Sequence, residues 1–260
     1  MSSMNTHRWI ETMQSIILDG HATAPRGQET VEGIGIQQTF DMNHPVLICK
    51  DRKLNTNFMI AEAAWILSGS NDIAFPAEYM RKYRDYSDNG VVMNGAYGPA
   101  YHRQRAYVVN TLVEDPTSRQ AIITIWDERP EPSKDIPCTV SVQFIFRGYQ
   151  LHCVANMRSS DVFLGLPYDI FTFSMMAADV LRGLEERLDT HLDLGYLIWN
   201  AGSAHIYERD LSKAMACIDG FNAAKFDEAP LYPTQHSGSV EYHLKAILAG
   251  ESVNWVVGDE

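Results

Sequence analysis

An α+β fold is what this sequence predicts, and three observations carry that prediction. Segments rich in β-branched and aromatic residues, "QAIITIW" and "CTVSVQFIFRGYQLHCVANMR", have the signature of strands. They alternate irregularly with long apolar helical runs, without the strict strand–helix–strand repeat that builds a purely parallel sheet. No repeat, low-complexity tract or linker divides the chain, so residues 1–260 are expected to form one domain.

Taken in order, Thr6 to Asp19 places Trp9, Ile10, Met13, Ile16, Ile17 and Leu18 at helical spacing. "HATAPRGQET" is a loop punctuated by Pro25 and Gly27, and "VEGIGIQQTF" follows as a strand with glycines where backbones approach. "NTNFMIAEAAWILSG" is a buried helix with an asparagine cap, Asn55 or Asn57, and a stop at Gly69. "YMRKYRDYSDNGVVMNGAYGPAYHRQR" mixes aromatics, arginines and Gly-Pro turns, and is expected as short helix and loop. The two strands on either side of Arg147-Gly148 form a hairpin. Ile170 to Leu188 is apolar on most faces and should run through the core as a helix. "LGYLIWNAGSAHIYERD" is expected as a strand, a Gly/Ser break and a second short segment. "ERDLSKAMACIDGF" is helical, and "VEYHLKAIL" is a strand or short helix.

Composition narrows the class of function. Hydrophobic residues at 45% and charged residues at 21% fit an ordinary globular protein. A net charge of -12 argues against general nucleic-acid coating, which needs a basic surface. It leaves room for a small anionic ligand held by a few arginines. Cys49, Cys138, Cys153 and Cys217 form no C-x-x-C pair, which suits free thiols in a reducing cytosol better than disulfides or a metal site. The N-terminus lacks a signal-peptide core and no apolar run reaches membrane-spanning length, so a cytoplasmic protein without membrane contact is expected.

Several residues could carry chemistry. Cys138 follows Ile136-Pro137 at a strand start; a nucleophilic thiol would need nearby cations, while a lone cysteine is more often a small buried hydrophobe. Arg26, Arg119 and Arg158 are forks that suit phosphate oxygens or, singly, surface ion pairs. Glu62 lies in an apolar helix, where an unpaired carboxylate costs several kcal/mol, so it is either on a polar face or in a functional pocket. His205 and Tyr207 are two apart and face one side of a strand, as a sugar grip or a packed pair. Asp169 in "LPYD" stands just before the central helix.

"IPC", then "RSSDVFLGLP" 20 residues beyond the cysteine, then "AHIY", resembles the thymidylate synthase family. "PRGQET", "AEAAWILSGSND", "YGPAY" and "DPTSRQ" fall into line with it, from about Arg26 to Tyr207. The resemblance implies the α/β synthase fold, a large mixed β-sheet flanked by helices, and a homodimer packed through that sheet. It implies that Cys138 adds to C6 of a pyrimidine monophosphate and that C5 then takes the methylene of 5,10-methylenetetrahydrofolate, with no metal. By the same resemblance Arg26, Arg158 and Ser159 hold phosphate, and Arg119 comes from the partner subunit. Glu62 organises water and proton transfer, and Tyr101 lies near the site of C5 proton abstraction. Asp161, with Gly165 in the same motif, faces folate, and His205 with Tyr207 grips the sugar 3′-hydroxyl.

Departures from the family pattern point to a subtype. Synthases have asparagine where this chain has Asp169; the amide suits the N3-H and O4 edge of uracil, whereas a carboxyl can accept from the amino group of cytosine and share a proton with N3. Deoxycytidylate hydroxymethylases of the family carry aspartate there. Thr139 replaces the usual histidine, and Gln120 replaces a phosphate-binding arginine. No tryptophan occurs between Trp65 and Trp126; Tyr79, Tyr83 and Tyr86 occupy the loop where synthases shield the methylene intermediate. The tail "NWVVGDE" departs from the apolar lid of synthases. The expectation is hydroxymethylation of dCMP. The alternatives are a CMP hydroxymethylase, a dCMP methylase, a thymidylate synthase or dUMP hydroxymethylase, and an inactive nucleotide-binding relative.

Overall fold

A computed structural model describes residues 2–127 and 132–223. Its centre is a six-stranded mixed sheet in the order β1-β2-β6-β5-β4-β3. The strands are β1 (His21–Thr23), β2 (Thr30–Asp41), β3 (Ile122–Thr124), β4 (Thr139–Arg147), β5 (Gln150–Asp161) and β6 (Asp193–Tyr207). Only β5 and β6 run parallel; every other neighbouring pair is antiparallel. The helices are α1 (Ser2–Asp19), α2 (Thr56–Leu67), α3 (Ala74–Tyr79), α4 (Gly98–Glu114), α5 (Leu166–Leu188) and α6 (Leu211–Ala223).

Local chemistry explains most boundaries. Asn55 caps α2 by accepting from the Phe58 amide at 3.0 Å. The β4–β5 hairpin turns through Gly148 and Tyr149, at φ 55° and 67°, between the paired Arg147 and Gln150. Two consecutive left-handed residues match the twist of the flanking strands. Helix α5 is buried along almost its whole length and connects the parallel strands β5 and β6, so its apolar faces form the middle of the core with Trp199, Phe144 and Leu197. A long crossover helix is what a parallel pair requires.

Four expectations change. The stretch expected as short helix and loop holds α4, a 17-residue helix that opens with Gly98 and Pro99; proline in a first turn lacks only an N–H the helix would not have used. The segment through Gly202 is one unbroken 15-residue strand. A Cβ at Gly202 would stand 3.1 Å from the Arg158 carbonyl, so the glycine permits close approach to β5 and does not break the strand. The loop before β2 contains the short strand β1, paired His21 to Glu32. Helix α5 starts at Leu166 rather than Ile170, which puts Asp169 inside its first turn. "VEYHLKAIL" and "NWVVGDE" lie outside the described residues.

The topology gathers chain ends at one edge of the sheet. The carboxyl ends of β5 and β6 lie side by side, with Asp161 opposite His205. Because β2 and β4 run antiparallel to them, their starts arrive at the same edge: Thr30 pairs with Tyr207, and Thr139 with Met157. The amino end of α5 follows β5 there. Ligands of open α/β sheets bind beyond the carboxyl ends of parallel strands, and this edge is where Cys138, Arg158, Asp161, Asp169, His205 and Tyr207 converge.

Candidate active site

Cys138 is the residue immediately before β4, and Arg158 on β5 fixes it there. The Arg158 amide donates to the Cys138 carbonyl at 2.8 Å. Its guanidinium donates to the carbonyls of Pro137 and Ile136, each at 2.9 Å, and lies 3.9 Å from Cys138 Sγ. The same group sits over the Trp126 ring at 5.6 Å. Arg158 therefore braces the "IPC" segment as well as offering charge. Burial nonetheless pushes the Cys138 thiol above its ordinary value; Arg158 and Arg26 oppose that shift, while Asp169 and Asp135 add to it. The resting group is a thiol.

Arg26 projects from a tight turn, Pro25–Gly27, where it adopts φ 56° and Gly27 φ 74°. A non-glycine residue in the left-handed region is uncommon; Arg26 shares it with Tyr149 of the β4–β5 hairpin, and in both a tight turn accounts for it. Arg26 is exposed and close enough to favour the thiolate of Cys138 and the phenolate of Tyr207. Ser159 is half-buried on β5, and its backbone pairs with Ser203. Arg119 is elsewhere. Its carbonyl accepts from Gln143 at 2.9 Å, five residues along β4 from Cys138, or about 17 Å at strand rise. The fold thus brings Arg26, Arg158 and Ser159 to one edge and leaves Arg119 exposed on another part of the sheet.

Deeper in, two carboxyls meet. Asp169 in the first turn of α5 is pushed up to about 8, first by burial and then by the neighbouring charges of Glu62 and Asp161; a Ser160 side-chain contact opposes the shift. Glu62 on α2 is pushed up to about 7 by burial, against a hydrogen bond from Tyr83. The amino end of a helix favours a carboxylate, but desolvation beside a second carboxyl outweighs it here. The Ser160 hydroxyl is buried beside Asp169 but outside good hydrogen-bonding geometry. Asp169, Glu62, Cys138, Asp161, His205 and Tyr207 all remain partly accessible despite this burial. Deep groups that still meet solvent line a cleft.

At the mouth, Asp161 Oδ1 accepts from the amides of Phe163 and Leu164 at 3.0 and 2.8 Å. Among the described residues nothing bonds its second oxygen. Gly165 begins the next turn, donating to the Asp161 carbonyl at 2.9 Å. The His205 and Tyr207 rings meet edge to face at 5.2 Å. Burial lowers the His205 value, against the pull of Asp161, and this favours the neutral imidazole.

Tyr101 does not join this cluster. It is 1% exposed, and its hydroxyl donates to Asp179 at 2.6 Å, close to the Met176 carbonyl at 3.3 Å. Tyr97, one turn earlier, stands nearer the chemistry. Its hydroxyl is held well above its ordinary value by burial and by Asp169, Cys138 and Glu62, and the Thr139 hydroxyl lies beside it. Its ring stacks parallel on Phe173 at 6.5 Å.

Other residues at the site were not singled out from sequence. Asp135 accepts from the Gly95 amide at 2.7 Å and faces Cys138. Arg209 lies over the Tyr207 ring at 4.0 Å and donates to Gln28 at 2.8 Å, next to the Arg26 turn. Arg52 holds the loop after β5 through the carbonyls of Phe163 and Leu164, at 2.8 and 3.1 Å. Trp9 Nε1 donates to the Val162 carbonyl of that loop at 2.7 Å. A single sequence gives no signal for these, since each acts through a contact far along the chain.

A thiol braced by a guanidinium, an exposed arginine near it, and two buried carboxyls with raised values form an arrangement suited to cysteine chemistry on a small anionic ligand. The thymidylate synthase family model matches residues 7–227, and the chain belongs to that family. Membership implies folate-dependent one-carbon transfer to a pyrimidine nucleotide, with methylenetetrahydrofolate as the donor the family uses.

Proposed function

We propose that this protein is a deoxycytidylate 5-hydroxymethyltransferase. The observation that carries the reading is Asp169: a carboxyl on the floor of the cleft, facing Glu62 and held near 8, so that it carries a proton at neutral pH. A protonated carboxyl can give its hydrogen to cytosine N3 while its other oxygen accepts from the 4-amino group. Protonation of N3 draws electrons from C6 and prepares it for the Cys138 sulfur. As the S–C6 bond forms, the ring electron pair moves to C4–C5 and makes C5 nucleophilic. Bound methylenetetrahydrofolate would supply the one-carbon unit to C5. The free oxygen of Asp161 and the nearby Tyr86 suit a flat heteroaromatic ring with N–H donors.

In this reading Arg26, Arg158 and Ser159 hold the 5′-phosphate, and His205 with Tyr207 holds the sugar 3′-hydroxyl. Glu62 moves protons to and from water. Tyr97, rather than the Tyr101 that the resemblance implies, takes the position by C5, which its closeness to Cys138 and Asp169 supports. Arg119, held beside Gln143 about 17 Å along β4 from its own Cys138, serves the site of a partner subunit. The sheet face for such a homodimer carries a polar ladder from Gln37 to Asn200, Asn156 and Ser141, with steps of 2.7, 3.1 and 3.2 Å.

Release of the C5 hydrogen from labelled dCMP, dUMP and CMP, with methylenetetrahydrofolate, tests this function. dCMP is expected to react fastest and to give a product heavier by CH2O. Faster release from dUMP would refute the role of Asp169, and a methyl product with dihydrofolate formation would refute hydration.

A further inference from the structure

Glu62 has a partner that no motif assigns. Phe58, Glu62 and Trp65 occupy i, i+4 and i+7 of α2 and so share one face of the helix. Tyr83 is docked on that face. Its backbone is fixed in the turn Arg81–Asp85, with its amide donating to the Met80 carbonyl at 3.0 Å. Its ring meets Phe58 edge-on at 5.1 Å, Trp65 at 6.0 Å and Tyr86 at 6.1 Å. Three edge contacts leave the ring little freedom, and they aim the hydroxyl at Glu62 Oε1, to which it donates.

We propose that Tyr83 is the positioning residue for hydration: by holding Glu62 Oε1 it presents the other carboxylate oxygen to the attacking water. The inference rests on the hydroxymethyltransferase reading. In the step, the water oxygen bonds to the methylene carbon on C5, and the methylene–C5 pair becomes the C5–C6 double bond. The C6–S bond breaks, its pair leaves with Cys138 as thiolate, and the water proton passes to Glu62. No other reactant is required. The groups facing Glu62 are Tyr83 from the turn after α3, Tyr97 before α4 and Asp169 from α5. The hydroxyl of Tyr83 favours the carboxylate of Glu62, against burial. That is the form able to take the proton.

Tyr83→Phe keeps the ring and removes the donor. The expected result is dCMP binding and C5 hydrogen release within about threefold of wild type, with hydroxymethyl product reduced about tenfold or more. The acid limb of product formation should also move to higher pH, because the bond that favours the Glu62 carboxylate is gone. A residue that only packs would leave both the release-to-product ratio and the limb unchanged, and that result would overturn the inference while leaving the function reading intact. If wild-type protein releases C5 hydrogen yet gives no hydroxymethyl product, the function reading fails and the inference falls with it.

Discussion

Replacing Asp169 by asparagine keeps the side-chain volume and removes the proton that the cytosine reading requires. With its carboxyl at about 8, Asp169 is about nine-tenths protonated at pH 7 and about one-tenth at pH 9. If the protonated form is the reactive one, kcat/KM for dCMP should fall about tenfold between those two values. A positioned general acid contributes roughly 100- to 10,000-fold, so Asp169→Asn should lower dCMP turnover by about that range. The effect on dUMP should be far smaller, because an amide can both accept from N3-H and donate to O4. The assay is C5 hydrogen release from each nucleotide across pH 6–9, with nucleotide binding measured alongside. A dCMP-to-dUMP ratio that stays within about threefold of wild type, with the alkaline limb still near 8, would refute the reasoning.

Three further outcomes follow from the same geometry. Cys138→Ser should abolish turnover and preserve nucleotide binding by calorimetry; turnover above about 1% would exclude the sulfur as nucleophile. Asp179→Ala removes the acceptor of Tyr101, Arg105 and Arg182, and should cost about 3 kcal/mol, a drop in Tm of roughly 6–12 °C by calorimetry. Asp169 and Glu62 both have folded-state values above their unfolded ones, so the folded protein binds more protons in the interval between them. Their contribution to stability is complete below about pH 4 and is lost as pH rises through about 7 and 8. Asp169→Asn should therefore raise Tm more at pH 9 than at pH 5, and an equal change at both would contradict the burial of a neutral carboxyl.

Much of this was legible in the sequence because its signals are local. The asparagine cap of α2, the Arg147-Gly148 hairpin and the apolar run of α5 each depend on neighbours within a few residues. The convergence of "IPC" with "RSSD" follows from one hairpin. The length of α4 was hidden because His102, Arg103, Gln104 and Arg105 interrupt its apolar pattern; Arg105 is committed to Asp179, 74 residues away. Gly202 had the sequence form of a break, and only the Arg158 carbonyl beside it reveals a close approach. That Tyr97 rather than Tyr101 lies beside Thr139 is likewise set by tertiary partners, since Asp179 captures the Tyr101 hydroxyl.

The pairing of Thr30 with Tyr207 joins residues 177 positions apart, and Arg209 beyond it ties to Gln28 next to the Arg26 turn. Contacts of such sequence separation close large loops and form slowly. The cleft therefore cannot be assembled from either half of the chain during synthesis, nor by a collapsed intermediate that has only the β4–β5 hairpin. Recovery of catalysis during refolding should trail recovery of helical signal, with the delay marking the moment when β2 and β6 find each other.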